Sequence, residues 1–102
     1  MSVLAKRLKE ARIRAGLSQE RLGLEAGLDE MSASTRMNRY ELGKRIPDPK
    51  LVERFGEALN VPAAFFYAAE DETAELLIRF HQLSEPERSQ VISFMRALEA
   101  KR

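Results

Sequence analysis

The chain has no cysteine. Disulfide frameworks, thiolate nucleophiles and cysteine-based zinc sites are therefore out of reach, and the composition suits a reducing compartment. Histidine occurs once. His81 follows Leu77 by four residues at the edge of an apolar stripe, with no second ligand near it, and reads as a half-exposed packing residue. Acids are scattered without a paired arrangement, and there is no glycine-rich phosphate loop. With nucleophile, metal cluster and phosphate loop all missing, the sequence points away from an enzyme and calls for neither metal nor cofactor. Long apolar runs are lacking too. The longest uncharged stretch, Ala58 to Ala69, covers 12 residues, against roughly 20 needed to span a bilayer. The first residues run straight into an amphipathic pattern with no signal peptide, so the expected location is cytoplasmic.

What is present is enough for one core. The chain has 102 residues, of which 44% are apolar and 32% charged, as suits a single soluble helical domain. Four prolines and five glycines rule out low complexity. The net charge of +1 says nothing about a polyanionic partner, but its distribution does. Residues 1–69 carry 12 basic against 9 acidic side chains, and residues 70–102 carry 5 against 7.

Every segment has the helical period and none alternates like a strand, which predicts an all-α fold. The first helix is expected over Val3–Ala15, capped by Ser2, with Leu4, Leu8 and Ala11 buried and Gly16 as its stop. Ser18 caps a second helix over Gln19–Ala26, ended by Gly27. A loop, Leu28 to Ser32, leads into a third helix that ends at Gly43. Asp48-Pro49 launches a fourth through Leu51, Val52, Phe55, Ala58 and Leu59, closed by Asn60. A short aromatic fifth helix follows over Ala63–Ala68, with Phe65, Phe66 and Tyr67 expected in the core. The acidic run Glu70-Asp71-Glu72 precedes a sixth helix over Thr73–Leu83. Ser84-Glu85-Pro86-Glu87 has capping-box spacing and starts a seventh, reaching Ala100.

The third helix carries the most information. On a helical wheel Ala33, Met37, Tyr40 and Glu41 fall on one side, Thr35 and Arg39 on the opposite side, and Arg36 and Asn38 on the flanks. The outer face thus offers Thr, Arg, Asn and Arg with no acid among them. Such side chains can hydrogen-bond base edges in a major groove, Arg to guanine and Asn to adenine. A glycine in mid-helix, Gly23, costs about 1 kcal/mol relative to alanine, and is explicable where another helix crosses very close to it.

These residues carry a family resemblance. LSQERLGLEAGL followed by TRMNRYELGKRIPDPKLVERFGEALNVP resembles the XRE-type helix-turn-helix DNA-binding domain of lambdoid repressors and Cro, over about residues 3–68. The resemblance implies a five-helix domain at 1–69. It implies base contacts from Ser34, Thr35, Arg36, Asn38 and Arg39, and phosphate contacts from Ser18, Gln19, Lys44 and Arg45. Free amides and the helix dipole at the start of the second helix would favour an anion there. It also implies an ion pair between Arg12 and Glu41 that ties the third helix to the first and turns the acid inward. One departure stands out: LDEMSAS separates Gly27 from Thr35, roughly four residues more than the family pattern. Either the loop is longer or the helix gains a turn starting near Ser32.

Residues 70–102 are expected to form a two-helix hairpin whose apolar stripe is Leu76, Leu77, Phe80, Leu83, Val91, Ile92, Phe94, Met95 and Leu98. A single half-site binds weakly, whereas a symmetric dimer sets two reading helices in successive major grooves about 34 Å apart. The hairpin either folds back on the first five helices or pairs with a second chain; it is read as a dimerisation element, and the chain as a homodimeric repressor of double-stranded DNA with a two-fold-related operator. The alternative is an antitoxin-like interaction module whose last helices hold another protein.

Overall fold

Helices begin where a short polar side chain can satisfy the first free amides. In the computed structural model, which describes residues 2–102, this happens four times. Ser2 Oγ accepts from the Ala5 amide at 3.1 Å and starts α1, Val3–Arg14. Ser18 Oγ accepts from Arg21 N–H at 3.0 Å and starts α2, Gln19–Glu25. Asp48 Oδ1 accepts from Leu51 N–H at 2.8 Å, and Pro49 opens α4, Pro49–Leu59. Ser84 and Glu87 exchange side chain-to-backbone bonds in a capping box at the head of α6, Glu85–Ala100. Helix α3, Ala33–Glu41, a 3-10 helix, Ala63–Tyr67, and α5, Asp71–His81, complete an all-helical chain.

The core lies among α1, α2, α3, α4 and the 3-10 helix. Leu8, Leu22, Ala33, Met37, Leu51, Val52, Phe55, Phe65 and Phe66 are fully buried there. Edge-to-face ring pairs run through it, Tyr40 on Phe55 at 6.2 Å, Phe55 on Phe66 at 6.5 Å and Phe66 on Phe65 at 5.3 Å. Each such pair contributes about 0.5–1.5 kcal/mol beyond area burial. The chain of rings fixes α3 relative to the far side of the domain.

Several expectations need correction. Tyr67 is 57% exposed and lies outside the core with its two aromatic neighbours buried. A 3-10 helix has three residues per turn, so three consecutive side chains take three different faces and cannot all point inward. Leu4 is only partly buried, while Ala5 and Arg7 fill the face of α1 that meets the core. Helix α5 begins two residues before the expected Thr73, with Asp71 and Glu72 in its first turn where the dipole favours them. It stops two residues before Leu83, where Arg88 donates to the carbonyls of Phe80 and His81 at 3.0 and 2.5 Å.

The last two helices follow one another as expected, but they are splayed. Helix α5 rests on the 3-10 helix through buried Ala74, with Leu77 and Ile78 at the edge of the core. Helix α6 buries none of its residues and packs closely on no other element. Leu77, Phe80, Leu83 and Val91 are half-buried, whereas Leu76, Ile92, Phe94, Met95 and Leu98 are exposed, Phe94 to 65%. The molecule extends 54 × 27 × 22 Å, with a radius of gyration of 15.7 Å, where a compact chain of this length has about 13 Å. Among the described residues no helix is long and apolar enough to cross a membrane.

Candidate nucleic-acid interface

Close helix crossing builds the site. A Cβ placed on Gly23 would lie 2.9 Å from Ala33 Cβ and 3.1 Å from Met37 Cγ. Only glycine lets α2 and α3 approach this far, and the contact plants Ala33 and Met37 in the core at 0% exposure. Tyr40 and Glu41 complete the inward face at 5% and 2%. Because a helix turns 100° per residue, that anchoring leaves Ser34, Thr35, Asn38 and Arg39 exposed on the other side.

Glu41 is the hub beneath this face. Its carboxylate accepts from Arg12 Nε at 2.6 Å, Arg12 Nη2 at 3.0 Å and Gln19 Nε2 at 3.1 Å. Arg12 also donates through Nη1 to the Leu17 carbonyl at 2.8 Å. One buried acid thus joins α1, α2 and α3, and no buried side-chain polar atom among the described residues lacks a partner. Bidentate pairing with a guanidinium neutralises the charge where it sits.

The outer residues differ in freedom. Arg36 is half-buried, donating through Nη2 to Tyr40 Oη at 2.8 Å with its guanidinium 5.8 Å from that ring. Its remaining N–H groups stay available. Asn38 accepts from Gln19 Nε2 at 3.3 Å through Oδ1, which leaves its amide N–H groups to donate. Gln19 is half-buried and directs both donor contacts at Glu41 and Asn38, so its side chain braces α2 against α3. Ser18 is exposed and its hydroxyl is used as a cap. Arg39, Lys44 and Arg45 are exposed and, among the described residues, join no ion pair. The amides of Lys44 and Arg45 donate to the Arg39 carbonyl at 3.0 and 3.3 Å, which folds the basic loop back over the end of α3.

The longer connection resolves into both possibilities. Leu28 is buried and pins its start, and Asp29 Oδ2 accepts from Met31 N–H at 3.0 Å in a tight turn. Helix α3 then begins at Ala33, two residues before Thr35. Ser32 makes no side-chain cap, so the first amides of α3 have no intrahelical partner. Asp29 and Glu30 are exposed on this turn.

One buried charge escapes sequence reasoning. Arg7 is 1% exposed and donates to Ala68 O, Ala69 O, Glu10 and Asp71. The signal was its place on the helical wheel, three residues after Leu4 and four before Ala11, inside the apolar stripe.

This geometry meets the comparisons with known proteins. Residues 3–65 match the family described as a helix-turn-helix domain. Three solved chains match. One, described as the crystal structure of transcriptional regulator BswR, aligns with a TM-score of 0.88 and 42% identity over 99% of this chain and 98% of that one. No curated protein matches. The chain belongs to the helix-turn-helix family of DNA-binding domains, in agreement with the XRE-type resemblance.

Proposed function

We propose that this chain is a sequence-specific transcriptional regulator that binds DNA as a symmetric homodimer and represses by occupying promoter DNA. The observation that carries the reading is the charge arrangement on α3. Its one acid is turned inward onto Arg12, while Arg39 and, in the loop that follows, Lys44 and Arg45 stand exposed and join no ion pair among the described residues. An uncompensated cationic face of this kind favours phosphate and guanine edges over protein carboxylates already engaged elsewhere. Ser34, Thr35, Arg36, Asn38 and Arg39 read bases in this proposal. Lys44 and Arg45 follow the backbone, together with Ser18 and Gln19. Because the donors of the Gln19 side chain are engaged, its contact is made by the main chain.

The splayed C-terminal arm supports the dimer. Phe94, Met95, Leu98, Ile92 and Leu76 stay exposed along α5 and α6, and apolar side chains grouped in this way on helix faces favour an interface. A second copy covers it in an isologous contact. The likeness to a structure described as a transcriptional regulator supports the regulatory role. Two measurements test the proposal together. Selection of bound duplexes from a random pool is expected to enrich a two-fold-related consensus with half-site centres one helical turn apart. Sedimentation at micromolar concentration is expected to give a dimer. A pool without any consensus refutes specific reading, and a monomer refutes the arm's role.

A further inference from the structure

We infer that Arg7 is the positioning residue that sets the angle between the DNA-reading head and the C-terminal arm, and through that angle the half-site spacing a dimer accepts. The inference rests on the proposed dimer. Arg7 lies midway along α1, yet every long-range partner it has belongs to the crossing from head to arm. Its Nε donates to the Ala68 carbonyl at 2.8 Å and Nη2 to the Ala69 carbonyl at 3.2 Å. Nη1 donates to Asp71 Oδ1 at 3.0 Å, and Asp71 is the first residue of α5. Glu10 completes the shell at 3.3 Å, and the guanidinium lies 6.0 Å from the Phe65 ring. One planar fork therefore fastens residues 68, 69 and 71 to α1 at once. Lysine, with a single tetrahedral ammonium, cannot bridge the same three acceptors in one plane.

Apart from the fork, the arm is held by a small apolar contact of Ala74, Leu77 and Ile78 with the core and by Lys6 at 3.9 Å from Asp71. Ala74 is the only buried residue of α5, and α6 has none. Alongside the latch a cleft of about 670 Å³ opens between α1 and α5, lined by Lys6, Arg7, Glu10, Ile78 and Arg79. The molecule is 54 Å long. A swing of about 10° over roughly half that length displaces the head by about 5 Å, more than the 3.4 Å rise of one base pair. Removing the fork lets each head reach more than one spacing.

The test uses the full-length chain, the selected operator, and operators with one base pair inserted or removed between the half-sites. One base pair also rotates the second half-site by about 34°. The parent is expected to lose about tenfold in affinity on either change. Arg7→Met and Asp71→Ala are expected to lose less than about threefold, while affinity for an isolated half-site stays within about twofold. Asp71 is 84% exposed, so its variant keeps the head folded and decides the matter where Arg7→Met melts. A dimeric Asp71→Ala protein that keeps the parent's tenfold discrimination overturns the inference alone. A parent that sediments as a monomer overturns the dimer and the inference together.

Discussion

Truncating Glu41 to alanine removes the one carboxylate that ties three helices together, and its cost can be worked from the geometry. Glu41 is 2% exposed and accepts three hydrogen bonds, two from Arg12 and one from Gln19. Breaking one side of a buried pair costs about 3–5 kcal/mol. Here Arg12 is 14% exposed and keeps its bond to the Leu17 carbonyl, so part of the stranded charge is still solvated. The expected loss is therefore about 2–4 kcal/mol. For a domain of this size each kcal/mol moves Tm by about 4–8 °C, so the variant should melt roughly 8–32 °C early. Glu41→Gln keeps an acceptor and should lose about half as much. Arg12→Ala strands the buried anion and should lose at least as much as Glu41→Ala. The double variant should fall short of the sum by about 2 kcal/mol, which urea titration followed by circular dichroism can read. A Glu41→Ala protein melting within about 2 °C of the parent, or a strictly additive double variant, would refute the hub.

Other perturbations separate reading from scaffolding. Arg39→Ala should cost about 1–3 kcal/mol of operator affinity and relax preference at one base pair, measured by anisotropy on single-base operator variants. Lys44→Ala should weaken all sequences alike and lower the salt slope by about one, with unchanged base preference. Gly23→Ala gains about 1 kcal/mol of helix propensity but meets Ala33 Cβ at 2.9 Å, and overpacking of that kind costs about 1–3 kcal/mol. The net expectation is lower stability and weaker DNA binding, since α3 must move; a more stable protein with parental affinity excludes the tight crossing. Asp71 is held below the usual carboxylate range by the Arg7 hydrogen bond and by the charges of Lys6 and Arg7, and Glu87 by the Ser84 amide and hydroxyl. Depressed values stabilise above the unfolded pKa and lose that stabilisation as pH falls through the folded one. Tm should therefore be insensitive to these two groups from neutral pH to about 5 and fall below about 4. Asp71→Ala combined with Glu87→Gln should flatten that acid limb.

Most of what the sequence revealed is local in chain distance. Ser2, Ser18, Asp48 and Ser84 are legible as caps because each bonds an amide three residues on. The inward and outward faces of α3 are legible because nine residues of regular helix obey one period. What escaped depends on partners far along the chain. Apart from Glu10, Arg7 finds its acceptors 61 to 64 residues away, which no window of helical periodicity contains. Gly56 looks like an ordinary helical glycine, but a Cβ there would lie 2.6 Å from the Val61 carbonyl, a contact created by the left-handed turn at Asn60. The side chain of Gln19 points its donors at Glu41 and Asn38, 22 and 19 residues on, a bracing contact that its place at the start of α2 does not disclose. The splay of α5 and α6 was likewise hidden. Amphipathic stripes say that a face needs covering, not whether its own chain covers it.

The net charge of +1 misleads for a physical reason tied to the same hub. A carboxylate offsets a cationic face only through the field it projects there. Glu41 lies within α3, but its charge is turned away and closed by a bidentate guanidinium at 2.6 and 3.0 Å, so the outer side sees a compact neutral pair. Several other acids are likewise engaged on α1, α2 and α5: Glu10 with Arg7 and Arg14, Glu25 with Arg21, Asp71 with Arg7 and Lys6, and Glu75 with Arg79. Arg39, Lys44 and Arg45 are exposed and, among the described residues, join no ion pair, and at physiological salt such charges act over about 8 Å. On the proposed reading, the pairing of some acids with basic side chains elsewhere acts together with the basic excess of residues 1–69 to give a nearly neutral chain a surface suited to a polyanion.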